Sequence, residues 1–238
     1  MVDFPEFQYF ISVTYLNAWT FRGCTTLKTV HMTEKLSGMG NGILYQAGGG
    51  KTIIMLSKNA PGTPPSTDST WRSNTFFVHN ESIKAYRAKD YWTTIKNRIY
   101  GFVSGPIEII NNGQYQYKLQ TYFSDATNFS LTLQQNDYLS MEFSDGIGVV
   151  TATGITPDTE EEEVNMSYEF NFKGIQYSGT FGIIVKYREI IDFEDAEVKR
   201  ICVANWGGEY CASSNLYGVP GELTYEQAAA VSSIGTVF

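Results

Sequence analysis

The chain has 238 residues, 42% of them apolar and only 18% charged, with 16 Tyr, 15 Phe and a formal net charge of −8. That length accommodates two or three small domains, and the aromatic-rich balance suits half-buried strands better than long solvent-exposed helices. The acidity and the lack of a Lys/Arg cluster argue against a nucleic-acid partner, which needs a basic stripe to displace phosphate counterions, and no apolar run reaches the ~18–20 residues of a membrane span.

The three cysteines, Cys24, Cys202 and Cys211, are odd in number and unrelated in spacing, so they suggest neither a disulfide framework nor a CxxC pair. Cys202 and Cys211 are the only near pair. "MVDFPEFQYF" lacks a basic segment followed by a long apolar one, so no signal peptide is expected in this chain.

Residues 1–34 place apolar side chains irregularly around the turn "RGCTT", which predicts short strands and tight turns rather than one helix. A Gly-rich turn, a strand centred on "TIIML" and a Pro/Ser/Thr loop follow. The "GGGKT" before that strand resembles part of a phosphate loop, but Tyr45 stands where the first glycine is required, and "KTIIML" is strand-like where a helix should begin.

"TFFVHNESIKAYRAKDYWTTIKNRIYGF" predicts a strand, a helix capped by Asn80 with Ile83 and Tyr86 inward, and a further helical turn with Trp92, Ile95 and Ile99 on one face. From Ser104 to about residue 189, alternation bounded by turns predicts a β-sandwich, with Tyr115, Tyr117 and Leu119, and later Phe170 and Phe172, on single strand faces. Within it, Glu160 to Glu163 read as a solvated hairpin or loop tip, because neighbouring carboxylates repel and no second oxygen cluster accompanies them.

"DFEDAEVKRICVANW" predicts a helix capped by Asp192, with Val198, Ile201, Cys202 and Trp206 at three- and four-residue steps. In "GELTYEQAAAV", Thr224 and Gln227 have the spacing of a T-x-x-Q capping box, worth roughly 1 kcal/mol.

The phrase "AWTFRGCTTLKTVHM" resembles the BspA-type leucine-rich repeat of Bacteroides-like bacteria and their phages. That resemblance implies a buried structural Cys24 and a solenoid interior lined by Leu27, Val30 and Met32. Val78, Glu81, Ser82, Ala85, Tyr86, Trp92 and Ile99 resemble, in order, the element that closes such repeat domains. "SGP-x-x-I", "G-x-Y-x-Y" and "GTFGIIVKY" resemble bacterial immunoglobulin-like domains, and "ICVANW…GELTYEQAAAVSSIGTVF" resembles an EF-hand- or dockerin-like helical pair.

The last resemblance fails at the metal. With Gly221 at loop position 6, Glu222, Thr224 and Gln227 occupy positions 7, 9 and 12, and the neutral Gln227 cannot supply the bidentate carboxylate. The preceding "GGEYCASSNLYGVP" contains no aspartate. No metal site and no cofactor is expected, although a calcium-dependent binding module stays open as an alternative.

The only histidines are His31 and His79, and no G-x-S-x-G, H-E-x-x-H or G-x-G-x-x-G frames them. Paired carboxylates need no short motif, so a glycan-acting accessory domain stays open too. Most aromatics are expected in cores, while Tyr91, Tyr210 and Tyr217 fall in turns or loops as possible surface contacts.

These readings converge on a mainly β chain with short helices (α+β) in three parts: a leucine-rich repeat domain with a helical cap (1–101), an immunoglobulin-like β-sandwich (102–189) and a degenerate EF-hand-like helical pair (190–238). The expected function is non-catalytic, structural or adhesive, on a bacterial cell surface or a virion. Its expected partners are a protein or glycan ligand and, through head-to-tail contact of the helical pair with the repeat domain, copies of itself.

Overall fold

The computed structural model describes residues 12–62, 69–110, 113–155, 161–186, 191–207 and 222–233. The chain is mainly β with a few short helices, an α+β composition, and divides into two compact units, Met1–Ser104 and Gly105–Phe238. Residues 190–238 fall within the second unit. Among the described residues, no helix is long and apolar enough to cross a membrane.

The first unit contains β1 (Tyr15–Leu16), β2 (Thr29–Met32), β3 (Gly38–Met39), β4 (Thr52–Met55), α1 (Ser69–Arg72), β5 (Thr75–Val78), α2 (Ile83–Ala88), β6 (Ile99–Gly101) and β7 (Val103–Ser104). Strands β2, β4, β5 and β6 lie side by side in sequence order, all parallel. Val30 opposes Ile53, Ile53 opposes Phe76 and Phe76 opposes Ile99, so each step across the sheet is 23 residues along the chain. β1 and β3 form a second parallel ladder with the same step, Tyr15 to Gly38.

Even the irregular backbone follows this stacking: the amides of Trp19, Phe21 and Gly23 donate to the carbonyls of Asn41, Ile43 and Tyr45 at 3.1, 2.7 and 2.9 Å. Parallel strands need long crossovers, and here each crossover is the remainder of one coil.

Strand alternation turns Val30, Met32, Ile53, Met55, Phe76, Val78 and Ile99 into the core, which Leu27 joins as expected. Cys24 is half-buried against the same core. The coil is closed by aromatic packing: Trp92 lies 4.9 Å from Tyr86, 5.5 Å from Phe76 and 5.7 Å from Trp71 between ring centroids. The Tyr86 hydroxyl donates to Ser57 O at 2.8 Å, and Trp92 Nε1 donates to Pro61 O at 3.2 Å.

Two expectations need correction here. Asn80 does not cap a helix; it opens a 3-10 turn (Asn80–Ser82), and its buried side chain accepts from Val103 N at 2.9 Å and donates to Val103 O at 2.7 Å. The backbone one coil further on competes successfully for its amide. Trp92 and Ile95 do share a buried face, but on a 3-10 helix (Trp92–Arg98), and Ile99 belongs to β6.

"GGGKT" forms no phosphate loop. Lys51 leads directly into β4, is itself buried, and donates its ammonium to Leu27 O while its amide donates to Asn74 Oδ1 at 2.9 Å. Burial lowers the pKa of this lysine from the ordinary value.

The second unit is built on β8 (Glu108–Ile110), β9 (Gln114–Leu119), β10 (Thr127–Leu133), β11 (Leu139–Ser144), β12 (Ile147–Ala152), β13 (Glu161–Phe172) and β14 (Ile175–Lys186). One sheet has the order β10-β13-β14-β8, with β14 and β8 parallel and the other pairs antiparallel. The other contains the antiparallel run β11-β12-β9.

Side chains meet between the sheets: Tyr117 and Phe181 ring centroids are 6.3 Å apart, and those of Phe129 and Phe143 5.5 Å. Tyr115, Tyr117, Phe170 and Phe172 are buried as their alternation predicts, and Leu119 is half-buried. Asp145 and Gly146, with φ of 51° and 74°, make the two-residue turn between β11 and β12, a conformation that favours Asp-Gly.

Glu161 to Glu163 are solvent-exposed but are not a loop tip. They begin β13, opposite Lys186, Val185 and Ile184. Lys186 Nζ stands 3.2 Å from Glu108 Oε2 and 3.7 Å from Glu161 Oε2, which offsets part of the repulsion that predicted a loop. Glu160 lies outside the described residues.

The unit ends in α3 (Ala196–Trp206) and α4 (Tyr225–Ala229). The N-cap of α3 is Asp195, not Asp192; its Oδ1 accepts from Glu197 N at 2.7 Å and Val198 N at 3.0 Å. The helix starts three residues late because Ile191 N donates to Leu223 O at 2.9 Å and Lys199 Nζ reaches Glu222 Oε1 at 2.7 Å, tying this stretch to the start of α4. Cys202 is buried, Ile201 and Trp206 half-buried, and Val198 exposed, so the packed face is rotated from the expected one.

Candidate contact surface

Thr224 and Gln227 form the expected capping box. Gln227 Oε1 accepts from Thr224 N at 2.8 Å, and Thr224 Oγ1 accepts from Gln227 N at 3.1 Å, so each side chain satisfies a free amide of the first turn. Both residues are buried. Gln227 spends its side-chain oxygen on the helix start.

Of the titratable groups, His79 has the most developed surroundings. It is buried, its ring lies 5.0 Å from that of Phe102, and its Nδ1 is 3.9 Å from Glu81 Oε1, which pairs with Lys58 Nζ at 2.8 Å. Burial pulls the imidazole pKa below its ordinary value, and Lys58 adds to the effect, against the opposing fields of Glu81 and Glu34. A neutral, aromatic-packed imidazole is a structural arrangement. Among the described residues no three His, Cys, Asp or Glu side chains gather as a metal-binding group.

Of the three tyrosines singled out from the sequence, Tyr91 is 42% exposed and has φ of 67° between α2 and the 3-10 helix. Tyr210 and Tyr217 lie outside the described residues.

Exposed rings that sequence reasoning missed include Tyr15, Trp19 and Tyr45, at 55%, 48% and 40% exposure, alongside Tyr100 at 41% and Tyr225 at 57%. Trp19 and Tyr45 stand on adjacent coils with centroids 5.2 Å apart and planes at 81°. The Arg22 guanidinium carbon sits 5.3 Å from the Trp19 centroid and 5.6 Å from that of Tyr45, within cation–π range of both.

The backbone builds this corner. Arg22 N donates to Trp19 O at 3.0 Å and Tyr45 N to Gly42 O at 2.9 Å, two matching turns on successive coils. A Cβ on Gly42 would come within 2.6 Å of the Trp19 ring, so only glycine lets the indole lie down over the next coil. Tyr15 lies over Gly38 in the same way, at 2.8 Å. The recurrence of "TVHM", "TIIM" and "TFFV" at 29, 52 and 75 was the available signal: adding 23 carries Tyr15 to Gly38 and Trp19 to Gly42.

Among the described residues, every exposed large apolar side chain of the first unit is Tyr or Trp, whereas exposed Ile107, Ile155 and Val198 belong to the second. Charge divides the same way. Met1–Ser104 carries eleven Lys/Arg against six Asp/Glu, a balance of +5, leaving six against nineteen, −13, for Gly105–Phe238.

In comparison with known proteins, the chain matches no family model, no curated protein and no solved structure.

Proposed function

We propose that the chain is a non-catalytic structural or adhesive protein of modular build, acting on a bacterial surface or a phage particle through contacts with protein or glycan. Its first unit is read as a short BspA-type leucine-rich repeat domain, the β-sandwich as immunoglobulin-like, and α3 with α4 as a degenerate EF-hand-like pair. The observation that carries the functional reading is the surface of the first unit, where rigidly stacked coils hold exposed tyrosines and a tryptophan beside a cation. Aromatic rings of this kind supply contact area at low entropic cost.

The test is to incubate the full chain with envelope polysaccharide and envelope protein from Bacteroides-type bacteria, measuring saturable retention and new reducing ends together. Retention of either fraction without cleavage is the expected result. Release of reducing ends would instead support a glycan-acting role and overturn this one.

A second reading, head-to-tail self-assembly, is favoured by the charge division: a unit at +5 and a unit at −13 are complementary between copies. Sedimentation should then show concentration-dependent association that weakens as salt rises from about 0.05 to 0.5 M. A strict monomer at high concentration and low salt would end it.

A further inference from the structure

The geometry points to Trp19, Tyr45 and Arg22 as a binding site for an acidic saccharide, one whose sugar ring lies against the exposed aromatics while its carboxylate pairs with the guanidinium. This rests on the reading of the first unit as an adhesive surface and names the chemical class it would take.

Three observations carry it. The first concerns the cation. Arg22 is exposed and makes no ion pair among the described residues. Held beside two rings rather than beside a carboxylate, it keeps an N–H fork whose shape suits an oxyanion. The unit around it carries a net +5, so an anion is drawn toward this surface although the whole chain is acidic.

The second concerns the rings. Trp19 and Tyr45 are exposed in a fixed corner, one ring nearly perpendicular to the other, and Gly42 leaves no side chain standing between the indole and the coil beneath. Trp19 holds φ of 67°, locked by its amide on Asn41 O. The site is therefore preorganised, which reduces the ordering cost of binding.

The third concerns the surroundings. Tyr, Trp and Arg also anchor protein interfaces, so what favours a sugar is the polar setting: no exposed Leu, Ile, Val or Met accompanies these rings among the described residues. Their exposed sequence neighbours include Asn17, Ala18, Thr20, Asn41 and Gln46, polar except for the small Ala18. Amides and hydroxyls around an aromatic face match a ligand that alternates C–H faces with hydroxyl groups.

The experiment titrates the full chain, followed by indole fluorescence and calorimetry, with three probes: an oligogalacturonate, its carboxyl-reduced form, and an oligoglutamate of equal charge. The expected order is oligogalacturonate tightest, with the reduced sugar at least about tenfold weaker, the loss of roughly one charge-assisted contact. Arg22→Gln should remove that difference, and Trp19→Asn should abolish binding of both sugars. Asn tolerates the positive φ at position 19, and an unchanged melting temperature confirms that the variant is folded.

Binding of the uronate unaffected by either substitution, or binding of neither sugar, would overturn the proposal. So would equal binding of oligoglutamate, which would reduce the site to a bare cation. Envelope retention that survives both substitutions would remove this site while leaving the adhesive reading in place.

Discussion

Asn80 makes two buried hydrogen bonds to Val103, so its replacement leaves an amide and a carbonyl without partners in a region closed to water. Asn80→Leu is expected to destabilise the protein by about 2–3 kcal/mol in urea unfolding, the cost of orphaning buried backbone groups rather than of losing one contact. A loss under about 0.5 kcal/mol would mean that the clamp is dispensable. His79 gives a pH signature. Its folded pKa lies below the ordinary 6.5, so the unfolded chain takes up the proton first on acidification. Its contribution is complete above about pH 6.5 and is lost as pH falls from there toward the folded value. Between pH 7.5 and 5.5 the unfolding free energy should therefore fall, and His79→Gln should flatten that slope; equal slopes would contradict the assignment. Neither role was legible from local sequence. Asn80 looks like a helix cap because its true partner lies 23 residues away, and nothing local marks the burial of His79 because Phe102, which packs on it, is equally distant.

The helical pair shows where local reading works and where it fails. The capping box of α4 was legible because Thr224 and Gln227 complete each other within one turn. Gln227→Ala should cost about 1 kcal/mol in unfolding free energy, with no shift in melting temperature between calcium and chelator in the parent chain. A calcium-dependent rise would restore the metal-binding alternative. The cap of α3 was misplaced by three residues because the hydrogen bond from Ile191 to Leu223 spans 32 positions and holds the approach extended. β13 was misread at its start for the same kind of reason: a run of glutamates signals a loop, and only the antiparallel partners of Glu161 to Glu163 in β14, with Lys186 among them, make a strand of those three. Strand faces were legible in the second unit, where alternation assigns Tyr115, Tyr117, Phe170 and Phe172 to the interior, although Leu119 on the same face is only half-buried.

At the scale of the molecule, the organising quantity of the first unit is the 23-residue step. It sets the register of the parallel sheet, supplies the side-chain clamps from Lys51 N to Asn74 and from Asn80 to Val103, and lays Tyr15 and Trp19 over glycines one coil on. Net charge alone hid the second large-scale feature, because −8 is the sum of a basic unit and a strongly acidic one. The sequence-level argument against nucleic acid rests on that sum and on the spread of eleven cations over the first 104 residues. The same cations nevertheless make the first unit the place to expect an anionic contact. Rings that project from stacked coils and pack on glycine contribute little to the core, so their replacement should spare stability and affect binding. The central claim, that the chain acts by presenting this surface, is tested most directly by comparing the parent chain with a Tyr15→Ser, Trp19→Asn, Tyr45→Ser variant for saturable binding to intact Bacteroides-type cells. The expected result is a loss of at least about tenfold in affinity with melting temperature within a few degrees of the parent; equal binding by a folded variant would contradict the account.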